Sequence, residues 1–366
     1  MKILIIGPGK LKYMPYAHFY LDNIDCVKNE VHLAYWNRDE KLEDTSSYHD
    51  VILHEFPLFM VNNAPLKIKF KCFRKYRVFV KSILKAQSFD FVIILHSLTG
   101  LMIYDILKKD YKNRFIFDYR DSTYESRNKI FSNAVKNLCR FSKVTFVSSD
   151  AFRRFMPVDC ANKTYTSHNL LEDSLQHREF EKTPSDKLRL AFWGFIREYD
   201  INRFLIDRVA VDDRFELHYY GREQKDALDL KEYANKINAT NVFFHGEYNP
   251  VERYEFVKST DLIHNIFATQ NENMAMAMSN KYYDSIIFRI PQICQVDSFM
   301  GKTSEEHQVG IMANPENNDF CDVVYNYYTQ LTKKKFDESC NNELNRIFAE
   351  YKKGTEIINE LTNKKQ

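Results

Sequence analysis

The chain has 366 residues, of which 44% are hydrophobic and 28% are charged, and its formal net charge is +2. This length predicts two domains, and the composition excludes a disordered or fibrous protein. A charge this close to neutral gives no electrostatic basis for binding nucleic acid.

The seven cysteines include no C-x-x-C pair, which argues against a zinc site or a disulfide framework and favours a reducing compartment. The first apolar run ends at Gly7, too early for a signal peptide. No apolar run approaches the roughly 18 residues needed to span a bilayer. We therefore expect a cytoplasmic protein that at most lies on the cytoplasmic face of a membrane.

The first half of the chain alternates short apolar runs with helical patterns. Lys2–Ile6 predicts a buried strand that ends at Gly7-Pro8-Gly9-Lys10. The alternation predicts a mostly parallel sheet covered on both faces, and hence a Rossmann-like domain over residues 1–170. Further strands are predicted at Val31–Trp36, Val51–Leu53, Phe89–Leu95, Phe115–Asp118 and Val144–Val147, and helices at Pro15–Asn23, Lys67–Ala86, Leu98–Lys109 and Glu125–Phe141.

A polar stretch over residues 171–187 predicts a linker, and residues 188–340 predict a second alternating domain. Three of its strands end in glycine, which indicates a sharp turn or a close approach at the carboxyl edge of the sheet, where open α/β sheets bind ligands. The strands that end in glycine are Leu188–Trp193 at Gly194, Phe215–Tyr220 at Gly221, and Asn241–His245 at Gly246.

A C-terminal helix is predicted over residues 341–366.

Two local motifs could bind a ligand. The Gly7–Lys10 loop could cradle a phosphate with its backbone N–H groups, or it could be only a tight strand-to-helix turn. Within Met274–Cys294, Ser279, Asn280, Lys281 and Asp284 form a polar helix start ahead of a short strand, which suits binding a sugar or a nucleotide.

The two halves, the linker and the final helix together resemble the layout of GT-B glycosyltransferases. Asn280-Lys281-Tyr282-Tyr283-Asp284, followed by Ile290-Pro291-Gln292-Ile293, resembles the N-K-x-[FY]-E…G-x-P-V-I segment of glycosyltransferase family 4. The resemblance implies an α/β fold with two Rossmann-like domains facing a cleft and a C-terminal helix that crosses back to the first domain. It also implies that the Asp284 carboxylate holds the ribose hydroxyls of a nucleotide-sugar donor. Asp284→Ala should then abolish donor binding and leave the fold intact.

The same resemblance implies a donor diphosphate site after Gly194, where the family has an arginine and then a lysine. Arg197 matches the arginine, and the next two strand ends resemble those near the nucleobase. The donor-binding residues implied in this way, together with the two local motifs, are Gly7, Gly9, Lys10, Gly194, Arg197, Tyr220, Gly221, His245, Gly246, Ser279, Asn280, Lys281 and Asp284.

The chain departs from the family pattern in four places, the first being Asp284 where the family has a glutamate. Ile201 and Asn202 stand where the lysine is expected, and Lys281 is a candidate for the missing charge. Met276 stands where the family often has an earlier glutamate, and Arg289 stands where a glycine is usual.

The first domain offers candidate catalytic groups at two strand ends. His96 ends the apolar run FDFVIILHS. Its place at the end of a strand favours a functional role over that of a buried histidine hydrogen-bonded within the core. Asp121 ends Asp118-Tyr119-Arg120-Asp121, which could equally be a salt-bridged helix cap with Asp121 or Ser122 at the N-cap. His168-Asn169 could line the cleft or form a turn.

The stretch Lys67–Lys85 is basic, contains no acidic residue and is threaded with apolar side chains. It predicts a helix that binds an anionic membrane surface, near a lipid-linked acceptor. The alternative is an ordinary helix with a basic face exposed to solvent. Binding of nucleic acid by this stretch is a weaker alternative. The residues assigned to this membrane or acceptor face are Lys67, Lys69, Lys71, Arg74, Lys75, Arg77 and Lys81.

The sequence thus predicts a glycosyltransferase that moves a sugar from a nucleotide-sugar donor to a glycan or lipid-linked acceptor in surface polysaccharide biosynthesis. Family resemblance implies retention of configuration; an inverting enzyme would need a base, for which His96 and Asp121 are the candidates. No metal and no cofactor are expected, because cationic side chains and backbone N–H groups can stabilise the departing diphosphate. An NAD(P)- or nucleotide-dependent Rossmann enzyme and a non-catalytic glycosyltransferase-like protein are the alternatives.

Overall fold

The computed structural model describes residues 1–61, 64–170, 183–249 and 252–362. The chain divides into two compact units, one formed by Met1–His168 with Ala349–Gln366 and the other by Asn169–Phe348. Most of the predicted linker, residues 171–182, lies outside the described part of the chain.

The described residues of the first unit form a parallel sheet of seven strands in the order β3-β2-β1-β4-β5-β6-β7. The strands β1, β4, β5 and β6 are mostly apolar and almost wholly buried, as is typical of a parallel sheet whose two faces are covered by helices. The bounds are β1 Lys2–Ile6, β2 Glu30–Asn37, β3 Val51–Pro57, β4 Phe91–Leu95, β5 Phe115–Tyr119, β6 Val144–Val147 and β7 Thr164–Thr166, with α1 His18–Leu21, α2 Leu66–Ala86, α3 Ser97–Met102, α4 Tyr104–Asp110 and α5 Lys129–Phe141.

In the second unit the described residues form six parallel strands in the order β10-β9-β8-β11-β12-β13. Its core combines the strand interiors with the buried α10, whose Tyr282, Ile286 and Ile287 are inaccessible. The bounds are β8 Leu188–Trp193, β9 Phe215–Tyr220, β10 Val242–Gly246, β11 Leu262–Asn265, β12 Gln292–Cys294 and β13 Gly310–Met312, with α6 Tyr199–Ala210, α7 Lys225–Lys236, α8 Arg253–Phe256, α9 Glu272–Met276, α10 Asn280–Phe288, α11 Phe299–Glu306, α12 Phe320–Gln330 and α13 Lys333–Thr362.

Several helix boundaries differ from the sequence predictions. The last helix begins at Lys333 rather than at residue 341, and Ile358 near its end belongs to the core of the first unit. The helix predicted over Glu125–Phe141 begins at Lys129, where the Asn128 side chain accepts from two backbone N–H groups. The alternative that Asp121 or Ser122 caps this helix is therefore wrong.

Candidate functional site

The three glycines that end β8, β9 and β10 lie side by side at the carboxyl edge of the second sheet. The Gly194 N–H donates to the Tyr220 carbonyl at 2.9 Å, and the Gly221 N–H donates to the Gly246 carbonyl at 2.8 Å. Gly194 has a φ of +128° and Gly246 a φ of +80°, while a Cβ on Gly221 would lie 1.9 Å from the Gly194 carbonyl oxygen. This geometry confirms the sharp turns and close approach that the sequence predicted, because positive φ angles favour glycine and the contact at Gly221 leaves no space for a Cβ.

Arg197 and Lys281 come together beside this edge. The exposed Arg197 guanidinium lies 6.0 Å from the centroid of the Phe267 ring, and the Lys281 ammonium lies 4.9 Å from the same centroid. Lys281 also lies 4.1 Å from the centroid of Phe192 and is only 7% exposed. Burial lowers the pKa of Lys281 to about 7, an effect that the charge of Asp284 opposes and that of Arg197 reinforces. The structure thus places a second cation near Arg197, although Asn202 replaces the expected lysine.

The carboxylate of Asp284 is bound by other side chains of the protein. It is 2% exposed, accepts from the Trp193 indole N–H at 2.8 Å and lies 3.5 Å from the Arg253 guanidinium. Arg253 is itself buried, and the sequence analysis did not identify it. Because a buried ion pair depends on both partners, these contacts lead us to expect that Asp284→Ala destabilises the fold, in contrast to the expectation from the sequence. A ribose-binding role for Asp284 stays a prediction.

The residues before Asp284 start α10 at the same edge. The Ser279 hydroxyl donates to the Asn265 side-chain oxygen at 2.8 Å, and the Asn265 amide donates to Gln292 at 2.7 Å, which ties the helix start to the last residue of β11 and the first residue of β12. Asn280, the first helical residue, is exposed. Arg289, in the place of the family glycine, ends the helix with a φ of +55°.

Tyr220 and His245 belong to an aromatic stack. The Tyr220 ring is parallel to His245 at 4.2 Å on one face and to Phe256 at 4.1 Å on the other. His245 also shares a 3.0 Å hydrogen bond with His218. Both faces of the Tyr220 ring are therefore covered by protein rings, and the assignment of Tyr220 and His245 to the donor site stays a prediction.

In the first unit, the Lys10 side chain of the Gly7–Lys10 loop is turned to carboxylates of the protein, and a phosphate cradle formed by the backbone of this loop stays a prediction. Lys10 is 3% exposed, and its ammonium pairs with Asp39 and, at 2.7 Å, with Glu43. A Cβ on Gly7 would lie 2.4 Å from the Met14 sulfur, while nothing lies within 4 Å of one on Gly9. The Lys10 charge is therefore already matched by carboxylates, which the sequence assignment to the donor did not foresee.

His96 and Asp121 meet at the carboxyl ends of β4 and β5. The His96 Nε2 lies 3.9 Å from a carboxylate oxygen of Asp121, and its Nδ1 accepts from the Leu98 N–H at 3.2 Å, so Nε2 carries the proton in the neutral ring. His96 has a φ of +78°, a strained value for a residue with a side chain. Burial lowers the pKa of His96, against the opposing charges of Asp121 and Glu125, which favours the neutral ring at neutral pH.

The neighbouring candidates have structural partners. Arg120 pairs with Asp118 at 2.8 Å in the interior and donates to the Ser167 hydroxyl, so the salt bridge predicted within Asp118–Asp121 exists without a helix cap. His168 lies 2.8 Å from a carboxylate oxygen of Glu350 and is buried.

Helix α2 presents a basic stripe to solvent. Its buried side chains, Cys72, Tyr76, Val80 and Ile83, follow one face. On the remaining surface Lys67, Lys71, Arg74 and Lys75 are exposed, together with Leu66 at 71%, Phe70 at 75% and Val78 at 63%. Lys69, Arg77 and Lys81 are half-buried; Arg77 forms two hydrogen bonds with Asp105, so it is not part of a free basic surface.

Within the described residues, no helix combines the length and the apolar character that crossing a membrane requires. The same ranges contain no cluster of three or more His, Cys, Asp or Glu side chains arranged to hold a metal ion.

Comparison with known proteins gives structural relatives only. No protein-family model matches the chain, and a search of curated proteins finds no match. Sucrose-phosphate synthase from Thermosynechococcus elongatus has a TM-score of 0.71 at 12% identity, covering 99% of this chain and 98% of that one. Anabaena HepE in complex with UDP and glucose has a TM-score of 0.64 at 12% identity, with coverages of 98% and 97%.

A third solved structure, the apo form of the lipopolysaccharide outer core galactosyltransferase WaaB, has a TM-score of 0.61 at 13% identity and covers 95% of this chain and 99% of that one. Identities this low show a shared architecture. The alignment with sucrose-phosphate synthase covers nearly the whole of this chain and so includes both of its parallel sheets. The protein therefore has the GT-B fold.

Proposed function

We propose that this protein is a glycosyltransferase that uses a nucleotide-sugar donor. The observation that carries the proposal is that the Arg197 guanidinium and the Lys281 amine both lie close to the Phe267 ring, beside the turn after Gly194. An arginine and a lysine that can become protonated as the ligand binds, next to a glycine turn, suit a diphosphate, whose negative charge increases as the glycosidic bond breaks. The solved structures of HepE with UDP support a donor of this class for a chain of the same fold.

Each cation would act differently. The exposed Arg197 can contact phosphate oxygens directly and in a bidentate manner. Lys281 is buried against two aromatic rings, so its charge is poorly solvated before the donor arrives and gains most from an anionic partner. With these groups holding the leaving diphosphate, we propose a reaction that needs no metal.

For the acceptor we propose a glycan or lipid-linked sugar of a surface polysaccharide, which is supported by the name of WaaB as a lipopolysaccharide outer core galactosyltransferase. Retention of configuration remains the expectation from family resemblance. If the reaction inverts instead, His96 is the preferred base: burial lowers its pKa, so the ring is neutral at neutral pH, and the Asp121 carboxylate lies 3.9 Å away to stabilise the protonated form.

Donor use is tested by a thermal-shift screen with UDP, GDP, dTDP and CMP, followed by hydrolysis of the matching nucleotide-sugars with and without a lipid-linked acceptor. We expect one nucleotide to raise the melting temperature, because a ligand that binds only the folded state stabilises it. The Arg197→Ala variant should lose most of that increase. No response to any of the four nucleotides by the wild-type protein would contradict the proposal.

We also propose that α2 holds the protein against an anionic membrane surface, where a lipid-linked acceptor would lie. Exposed Lys67, Lys71, Arg74 and Lys75 supply charge, and Leu66 and Phe70 supply apolar anchors. Each basic residue near such a surface contributes up to about 1 kcal/mol.

Replacing Lys67, Lys71, Arg74 and Lys75 with glutamine should therefore weaken binding to vesicles containing phosphatidylserine at least about tenfold in a sedimentation assay. The matched control makes the same charge change at exposed lysines of the second unit, namely Lys236, Lys302, Lys334 and Lys335. Equal effects of the two variants would indicate that α2 is an ordinary solvated basic face.

A further inference from the structure

The loop between β8 and α6 carries Arg197, and one buried amide holds its backbone. Asn202 on α6 is 4% exposed, and its side-chain nitrogen donates to the carbonyls of Arg197 at 2.9 Å and of Glu198 at 3.1 Å. We propose that Asn202 is a positioning residue that sets the place of Arg197 for donor binding. This inference rests on the proposed function.

The orientation of the Asn202 amide is determined by its neighbours. Its oxygen accepts from the Tyr219 hydroxyl at 2.9 Å and lies 2.9 Å from His264 Nε2. The His264 Nδ1 accepts from the Ile266 N–H at 3.1 Å, and burial lowers the pKa of His264 to about 3, so the ring is neutral and its proton is on Nε2. Two donors therefore face the amide oxygen, and the NH₂ group must face the loop.

The other restraints on this loop act on the following residue. Glu198 has a φ of +66°, its N–H donates to Asp226 at 2.9 Å, and its carboxylate accepts from the Ala268 N–H at 2.7 Å. Among the described contacts, Asn202 is the side chain that bonds the Arg197 carbonyl. Since both ends of the Asn202 amide are already bonded to protein groups, we expect its effect on the donor to pass through Arg197.

The chain also provides a matched control. Tyr219→Phe removes one hydrogen bond to the Asn202 oxygen but leaves both bonds from the amide nitrogen to the loop. Asn202→Leu removes those two bonds at similar side-chain volume, and Asn202→Ser is a smaller second variant for use if the leucine variant does not fold. Both substitutions at position 202 leave the Arg197 side chain itself unchanged.

The experiment measures the Kd of UDP, or of whichever of the four nucleotides binds the wild-type protein, by calorimetry. We expect Asn202→Leu or Asn202→Ser to raise this Kd about tenfold or more, which corresponds to about 1.4 kcal/mol, and Tyr219→Phe to leave it within about twofold. In the Arg197→Ala background the Asn202 substitution should have no further effect, since its influence passes through that side chain.

Additive effects of the Arg197 and Asn202 substitutions, or an equal effect of Tyr219→Phe, would overturn the inference and assign Asn202 a purely structural role. These outcomes differ from failure of the proposed function, in which the wild-type protein would bind none of the four nucleotides.

Discussion

Replacing Lys281 with methionine is expected to weaken nucleotide binding about a hundredfold and, at the same time, to stabilise the protein at neutral pH. The affinity falls because a charge-assisted contact to the diphosphate is lost, worth about 1.5–3 kcal/mol. Stability rises because methionine has nearly the same shape but no charge to bury, whereas Lys281 is 7% exposed between Phe192 and Phe267.

The pH dependence of this effect has a definite sign. Burial lowers the pKa of Lys281 from 10.5 in the unfolded chain to about 7 in the folded protein. Between these values the unfolded state holds a proton that the folded state has lost, so wild-type stability rises with pH across this window. The advantage of Lys281→Met, on the order of 4 kcal/mol at and below pH 7, should therefore shrink as the pH approaches 10.5.

The measurements are urea unfolding of both proteins from pH 6 to pH 10 and calorimetry of UDP binding at pH 8 in two buffers of different ionisation enthalpy. Wild-type protein should take up a proton when UDP binds, because the diphosphate favours the charged lysine; Lys281→Met should not. Lys302→Met, at an exposed position of the same unit, is the control and should change neither quantity. A destabilised Lys281→Met variant with unchanged UDP affinity would remove Lys281 from the proposed site.

Asp284→Ala is expected to lower the free energy of unfolding by about 3–5 kcal/mol, because it leaves the buried Arg253 without this carboxylate. It also removes the acceptor of the Trp193 indole N–H. Asp284→Asn keeps the volume and an oxygen for Trp193, so it should cost less. Trp193→Phe removes the hydrogen bond, worth about 1 kcal/mol, and also part of a buried ring, so it should cost more than the bond alone.

Calorimetry with UDP and its 2′-deoxy analogue separates structural support from ribose binding. If Asp284 also holds the ribose, wild-type protein should prefer UDP, and Asp284→Asn should lose that preference. Equal losses of affinity for both nucleotides would show that Asp284 acts only through Trp193 and Arg253. A fully stable Asp284→Ala variant would contradict the role of the buried ion pair.

Local patterns in the sequence were enough to predict the architecture. Apolar runs such as Phe89–Leu95, of which Phe91–Leu95 forms β4, predicted buried parallel strands, because a strand covered on both faces is mostly apolar. Gly194, Gly221 and Gly246 marked the carboxyl edge of the second sheet, because Gly194 and Gly246 have positive φ angles that favour glycine and Gly221 has no space for a Cβ. The polar start of α10 at Ser279 pointed to the same edge, and all of these signals depend on residues close together in the chain.

Whether a candidate side chain is available to a ligand depended on partners far away in the sequence. Lys10 is an attractive phosphate ligand until Asp39 and Glu43 are placed beside it. The Tyr220 ring could stack on a base until His245 and Phe256 cover its two faces. Neither the ion pairs of Lys10 nor the ring stack of Tyr220 can be recognised from a local sequence pattern, because ion pairs and stacked rings require only that the groups lie close together in space.

The sequence by itself therefore determined that this protein has two parallel α/β units with glycine turns at the edge of the second sheet. The tertiary structure alone decided that Asp284 is paired with Arg253, that Lys281 is buried near Arg197, and that Asn202 holds the loop of that arginine. The physical reason is that strand, helix and turn formation depend on short-range backbone and side-chain preferences. The protonation and accessibility of a side chain depend instead on which distant groups the fold packs against it.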